Sequence, residues 1–160
     1  MKYTINKSKL NDNQTWFLTK KIQDLNYGPT LWEGNYTEVE YNQDNPYIDP
    51  GLSTALSVIA KIVDVDQDFN TIIVKRFEVG NYVIPHRDSR NTVGKSVNVF
   101  VGADTQHRYD GSLEDITSGD VIVQECTNGY DMGPRYSMNP LKDGIAYTVT
   151  LCTILKENPV

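Results

Sequence analysis

Apolar positions follow a helical period before Phe69 and a strand period after it. Leu18, Ile22 and Leu25 recur at helical spacing, which predicts a short helix over 18–25 in the segment that begins at Ser8. The stretch 27–47 breaks the pattern. Gly28-Pro29, Gly34 and Asn45-Pro46 punctuate residues rich in Tyr, Asn and Glu, and this reads as a polar loop or an exposed hairpin. A second helix is better marked. Asp49 can cap it, Pro50 suits its first turn, and Leu52, Leu56, Ile59 and Val63 form one apolar face. The acidic run Asp64, Asp66, Asp68 ends it.

Beyond Phe69, five segments read as strands: 71–74, 82–86, 96–102, 119–123 and the long alternating run 145–155. Short strands separated by turn signals predict a sandwich, barrel or jelly roll; with helices in front, the class is α+β, mainly β. The strands should form two facing, mainly antiparallel sheets, with the helix from Pro50 to about Val63 packed outside one of them. Leu56, Ile59, Val74, Val99, Val121, Val123, Val149 and Leu151 should be buried. No repeat, low-complexity tract or linker interrupts the chain, so 1–160 reads as one domain. Within it, 1–50 form an N-terminal extension with lid-like loops and 71–155 the β core.

Composition narrows the class without naming a function. The chain has 160 residues, 39% hydrophobic and 22% charged, with mean hydropathy −0.46, which excludes a disordered polymer. No apolar run exceeds about four residues, so none reads as a bilayer span, and the segment 1–7 has no secretory apolar stretch. Cys126 and Cys152 make neither a CxxC pair nor a disulfide framework, so a cytoplasmic location is expected. A net charge of −6 with pI near 4.8 opposes broad binding to nucleic-acid backbone and leaves room for a local basic pocket.

Only two histidines are present. His86-Arg87-Asp88 ends a predicted strand, where residues two apart share a face and can converge on one metal ion. The alternative is a turn with a surface ion pair. The order of features resembles the AlkB-like branch of the iron(II)/2-oxoglutarate oxygenases over roughly residues 30–155. The resemblance runs through Pro50, the helix with Leu56 and Ala60, Phe69, Arg76-Phe77-Glu78-Val79-Gly80, His86-x-Asp88 and the strand Ser96 to Gly102. It continues through Gly111, the run Ser118 to Val123, Pro140-Leu141-Lys142-Asp143-Gly144, and the closing strand with Thr150. It implies a double-stranded β-helix, or jelly roll, with a pocket between its sheets and iron(II) and 2-oxoglutarate as cofactors.

Departures from the family pattern are concentrated where its chemistry lies. Tyr136 stands where the resemblance expects the second histidine of a facial triad. Ala146, Thr148 and Cys152 stand at or near the places of the arginines that grip the co-substrate, and Lys75 and Phe77 replace an Asn and a Tyr that face it. His107 is a candidate replacement ligand, or else a core or surface histidine. Lys75 is a candidate point charge for an acid group, or else a solvated strand residue. Arg76, Arg87, Arg90, Arg108 and Arg135 come from segments that surround the pocket mouth in the resembled fold. They offer an anion or phosphate site, or pair with Glu78, Asp88 and Asp110. Trp32, Tyr36 and Tyr41 match the family's nucleotide-recognition lid and could stack a base, or cover the helix as a satellite core. Tyr130, Asp131, Arg135 and Tyr136 make a second polar-aromatic loop on the far rim.

Other catalytic patterns are absent. Asn91 to Ser96 lacks the first glycine of a phosphate loop, no GxSxG elbow or zinc spacing occurs, and nothing orients Cys126 with His107 as a thiol pair. Three readings follow. The chain is an oxygenase-fold protein that has lost standard 2-oxoglutarate catalysis and acts as a binding or inhibitory module on a protein, nucleotide or nucleic acid. A small, acidic, Asn- and Tyr-rich chain of that kind suits a viral product directed at a host factor. The alternative is an active iron(II)-dependent dioxygenase working on a nucleobase or protein side chain through His86 and Asp88. A structural jelly-roll subunit is the third.

Overall fold

The computed structural model describes residues 2–30, 33–87, 91–126 and 133–155. Two antiparallel sheets face each other. The larger has seven strands in the order β1 (Tyr3–Asn6), β9 (Val121–Glu125), β6 (Thr92–Gly102), β11 (Ala146–Ile154), β4 (Thr71–Phe77), β3 (Thr37–Tyr41) and β2 (Gly28–Pro29). The smaller has four, in the order β5 (Val83–His86), β10 (Tyr136–Met138), β7 (Thr105–Tyr109) and β8 (Ser112–Ile116). This is the predicted jelly roll of α+β, mainly β class. No helix among the described residues is long and apolar enough to cross a membrane.

Two helices cover the outer face of the large sheet. Helix α2 (Pro50–Ile62) starts where its cap chemistry dictates: Asp49 accepts from the Leu52 N–H, and Pro50 takes the first turn. It buries Leu52, Leu56, Ile59 and Ala60 against Val74, Val97, Val99, Val149 and Leu151, forming the main core. Helix α1 spans Asp12–Ile22, earlier than the predicted 18–25. Asn11 and Gln14 form a reciprocal capping box that starts it, and Leu25 packs on the core beyond its end. Of the eight residues expected in the core, seven are buried; Val123 is only half-buried, packed at the margin of the main core.

The first fifty residues contribute to the large sheet on both sides. β1 pairs with β9, and β3 pairs with both β2 and β4. Of the two readings for 27–47, the hairpin is the one observed, and it is joined to the sheet. Between the two sheets lie two smaller cores. Tyr36, Phe77, Val83, Met138, Leu141 and Ala146 form one; Phe100, Tyr109, Ile116 and Ile122 form the other. Tyr136 packs against both, and a cleft remains between them.

Candidate functional site

The cleft has a volume of about 270 Å³ and opens between the sheets. Strand alternation decides what reaches it. On β4, Ile73 and Lys75 face the cleft, while Ile72 and Val74 pack on the helix side. On β11, Thr148, Thr150 and Cys152 face it, and β6 adds Ser96, Asn98 and Phe100. The small sheet supplies His86, Tyr109 and Tyr136. Thr150 Oγ1 donates to Asn98 Oδ1 at 2.7 Å, tying the two polar walls together.

The mouth is organised by Glu33. Gly34 bridges to Val83 so closely that a Cβ on it would lie 2.0 Å from the Tyr82 carbonyl oxygen, so only glycine fits. The Ile84 N–H donates to the Glu33 carbonyl at 2.7 Å, which fixes the Glu33 backbone against β5. Its carboxylate then meets two donors and an imidazole. Tyr36 Oη donates to Oε2 at 2.7 Å, Lys75 Nζ lies 3.5 Å from the same oxygen, and His86 Nε2 lies 3.5 Å from Oε1. Burial acts to raise the Glu33 pKa, but Lys75, His86 and the Tyr36 hydroxyl outweigh it and hold the group below its ordinary range. Glu38 and Glu40 on β3 complete an acidic rim. Burial pushes Glu38 up, Lys75 opposes the shift, and Glu33 and Glu40 add to it.

His86 and Lys75 therefore both line the cleft. His86 Nδ1 donates to the Ile84 carbonyl at 2.8 Å, leaving Nε2 toward the cleft and Glu33. Asp88, Arg90 and Trp32 lie outside the described residues, as do Tyr130 and Asp131. Among the described residues, no three His, Cys, Asp or Glu side chains are placed to hold a metal ion.

His107 is kept away from His86. The strand carrying Tyr136 lies between theirs, and His107 is fully buried, with Phe100 edge-on at 5.0 Å and the Tyr136 ring at 5.4 Å. Its Nε2 meets Thr105 Oγ1 at 2.8 Å, while Nδ1 has no partner among the described residues. Burial first, and Lys75 second, lower its pKa to about 3, so it is a neutral core imidazole.

The described members of the expected arginine girdle do not converge. Arg76 alternates with Lys75 onto the helix side, beside Tyr147, and pairs with Glu78 at 3.0 Å. Arg108 projects outward from β7, since His107 and Tyr109 on either side point inward. Arg87 and Arg135 are exposed, and neither lines the cleft. Tyr36 and Tyr41 are not free to stack a base. Tyr36 is 1% exposed and packs on Phe77 at 4.9 Å, and Tyr41 packs at the margin of the main core. The sequence reading missed Glu33, whose role depends on the Gly34 contact with a strand some fifty residues away. Its one signal was a glycine directly after an acid in a loop.

No family model and no curated relative matches the sequence. Solved structures match over nearly the whole chain. The viral collagen prolyl hydroxylase of Paramecium Bursaria Chlorella virus-1, solved with 2OG, aligns over 98% of this chain and 97% of its own, at 12% identity and TM-score 0.71. OsALKBH1 aligns over 95% and 98%, at 12% identity and TM-score 0.67. A 2OG-Fe(II) oxygenase family oxidoreductase from Burkholderia pseudomallei aligns over 96% and 84%, at 11% identity and TM-score 0.63. The fold is that of the 2OG-Fe(II) oxygenases. The likeness extends to prolyl hydroxylases and to an ALKBH1 protein alike, so it reaches the superfamily's fold and not the AlkB-like branch in particular.

Oxygenases of this fold take iron(II) and 2-oxoglutarate, and the residues present fit the second poorly. Phe77 and Ala146, at two positions where the resemblance puts co-substrate contacts, are paired across β4 and β11 and buried in an apolar core under Tyr36. Stripping water from a dicarboxylate there without charged partners costs several kcal/mol. The described residues also leave His86 without a second imidazole, because Tyr136 fills the neighbouring position.

Proposed function

We propose that this oxygenase-fold chain is a binding module, one that does not carry out standard 2-oxoglutarate turnover. The observation that carries the reading is the lining at the co-substrate positions: Phe77 and Ala146 are sealed under Tyr36, Thr148 and Cys152 face the cleft uncharged, and Lys75 is paired with Glu33. A cleft of about 270 Å³ accommodates a single side chain or a small polar group, which suits a protein partner that inserts one side chain. The acidic rim of Glu33, Glu38 and Glu40 weighs against nucleic-acid backbone, as does the net charge of −6. Action on a host factor by a viral protein is the setting that small size and composition favour. The test is to load purified protein with iron(II), add 2-oxoglutarate, and measure binding and succinate. Neither saturation below the millimolar range nor succinate is expected; either one overturns the reading.

One observation favours the second reading, an active iron(II) dioxygenase through His86 and Asp88. The Nδ1–H of His86 is committed to a backbone carbonyl, which presents Nε2 to the cleft as metal-binding histidines require. Under that reading, His86→Ala and Asp88→Ala each abolish iron binding measured by calorimetry. Equal iron content in wild type and both variants removes it.

A further inference from the structure

We infer that Lys75 and Tyr36, beside His86, form a carboxylate-binding site in the cleft, and that Glu33 is an internal carboxylate that plugs it. The inference rests on the reading of the cleft as a ligand-binding site and names the class of ligand it takes.

The two donors and the imidazole come from separate parts of the chain and converge on one group. Lys75 lies on β4, Tyr36 immediately precedes β3, and His86 ends β5. One Glu33 oxygen takes the Tyr36 hydroxyl and faces the Lys75 ammonium; the other faces His86 Nε2. A hydroxyl and an ammonium on one oxygen is the charge-assisted pairing a bound carboxylate ligand would need. The donors are held rigidly. Tyr36 is buried against Phe77, and Lys75, with its side chain 15% exposed, lies 5.2 Å over the Tyr36 ring. Glu33 is the most accessible of the set except for its backbone, which is pinned to Ile84; its side chain is 39% exposed. Turning that side chain out to solvent needs rotamer changes only, and leaves the ammonium and phenol facing a carboxylate-sized gap.

The surroundings restrict which carboxylate enters. In register, Lys75 is flanked by Glu38 on β3 and Thr148 on β11. A second carboxylate on the ligand would meet Glu38 and Glu40 at the rim, and like charges there oppose it. A monocarboxylate is therefore preferred to a dicarboxylate.

The test compares wild type, Glu33→Ala, Glu33→Gln and the double variant Glu33→Ala/Lys75→Met. Acetate and succinate serve as probes, read by NMR titration and thermal melting. Glu33→Ala should take acetate roughly tenfold more tightly than wild type, with a rise in melting temperature that wild type lacks. Glu33→Gln, whose amide fills the same gap, should show no gain, and Lys75→Met in the Ala background should remove it. Succinate should bind Glu33→Ala more weakly than acetate. Equal acetate affinity in wild type and Glu33→Ala overturns the inference, as does a gain that survives Lys75→Met. If Glu33→Ala shows no cooperative melt, its restoration by acetate supports the site, and failure of acetate to restore it overturns the site. Turnover of 2-oxoglutarate by wild type would instead overturn the binding-module reading, and leaves the comparison of variants to stand or fall by itself.

Discussion

Tyr136 faces His86 directly across the β5–β10 pair, the two rings 5.8 Å apart and nearly perpendicular. On its other side Tyr136 faces Tyr109 of β7, 5.2 Å away. The phenol thus fills the cleft wall beside the imidazole that would otherwise be half of a metal pair. Replacing it with imidazole should return a nitrogen donor to that wall. Tyr136→His is expected to bind iron(II), or cobalt(II) as its spectroscopic surrogate, on the order of tenfold more tightly than wild type. Calorimetry and cobalt absorption check this, and unchanged affinity contradicts it.

The closed end of the cleft gives the opposite kind of result. Ala146 is 3% exposed among Phe77, Val83, Met138 and Leu141, with no room for a guanidinium. Ala146→Arg should therefore fail to create a co-substrate clamp. It should lower the unfolding free energy by about 3 kcal/mol or more, through overpacking and a buried charge. Denaturant titration measures the loss, and a variant as stable as wild type contradicts the account.

His107 should make the protein acid-sensitive. Its folded pKa is held down to about 3, against an ordinary value of 6.5 in the unfolded chain. Between those values the unfolded state takes up a proton that the folded state refuses. Stability is then highest above pH 6.5 and falls as pH is lowered toward 3, by up to about 1.4 kcal/mol per pH unit. His107→Phe, which keeps an aromatic ring among Phe100, Tyr109 and Tyr136, should flatten that limb. Parallel pH profiles of stability for wild type and variant contradict the assignment.

Asp120 ties the N-terminal strand to the β6–β9 region. Its carboxylate accepts from the Ser8 N–H at 2.7 Å and the Thr117 N–H at 2.8 Å, and pairs with Lys7. Burial acts to raise its pKa, and the hydrogen bonds of Lys7, Thr117 and Ser8 lower it overall. That contribution is present above the ordinary carboxylate range and is lost as pH falls through the lowered value. Asp120→Ala should cost about 2–3 kcal/mol at neutral pH, because two backbone donors lose a charged acceptor. A change within experimental error in chemical denaturation rules this out.

Much of the β half was legible because its strands carry their own period. The alternation in 145–155 yields β11, and Asp49-Pro50 with its apolar face yields α2 almost residue for residue. The β7–β8 hairpin was present as Asp110-Gly111, whose φ values of 50° and 84° match the two-residue turn such a pair favours, but the reading passed over it. β1 was not legible, and β3 only as one arm of a hairpin left open beside a loop. Each is short, and each becomes a strand because a neighbour, β9 or β4, supplies hydrogen bonds from far along the chain. In the site, Lys75 was found because the family resemblance sets it where a residue faces the co-substrate, and strand alternation puts it on the cleft face. For the arginines an anion site and ordinary ion pairing both stood open, because segment position does not fix which side a side chain takes; Arg76 pairs with Glu78. For Tyr36 the lid and the core readings both stood open, and it is core, since its ring finds Phe77 and its hydroxyl finds Glu33.

Titration of 2-oxoglutarate against the iron-loaded wild-type protein tests the central claim most directly. The closing strand β11 brings Thr148, Thr150 and Cys152 to the cleft, Ala146 is sealed beneath Tyr36 and Phe77, and Lys75 is engaged by Glu33. Loss of a buried charge partner costs about 3–5 kcal/mol, which turns a micromolar site into a millimolar one or worse. The account predicts no saturation below the millimolar range and no succinate. Micromolar binding, or succinate formed in step with oxygen consumed, would contradict it.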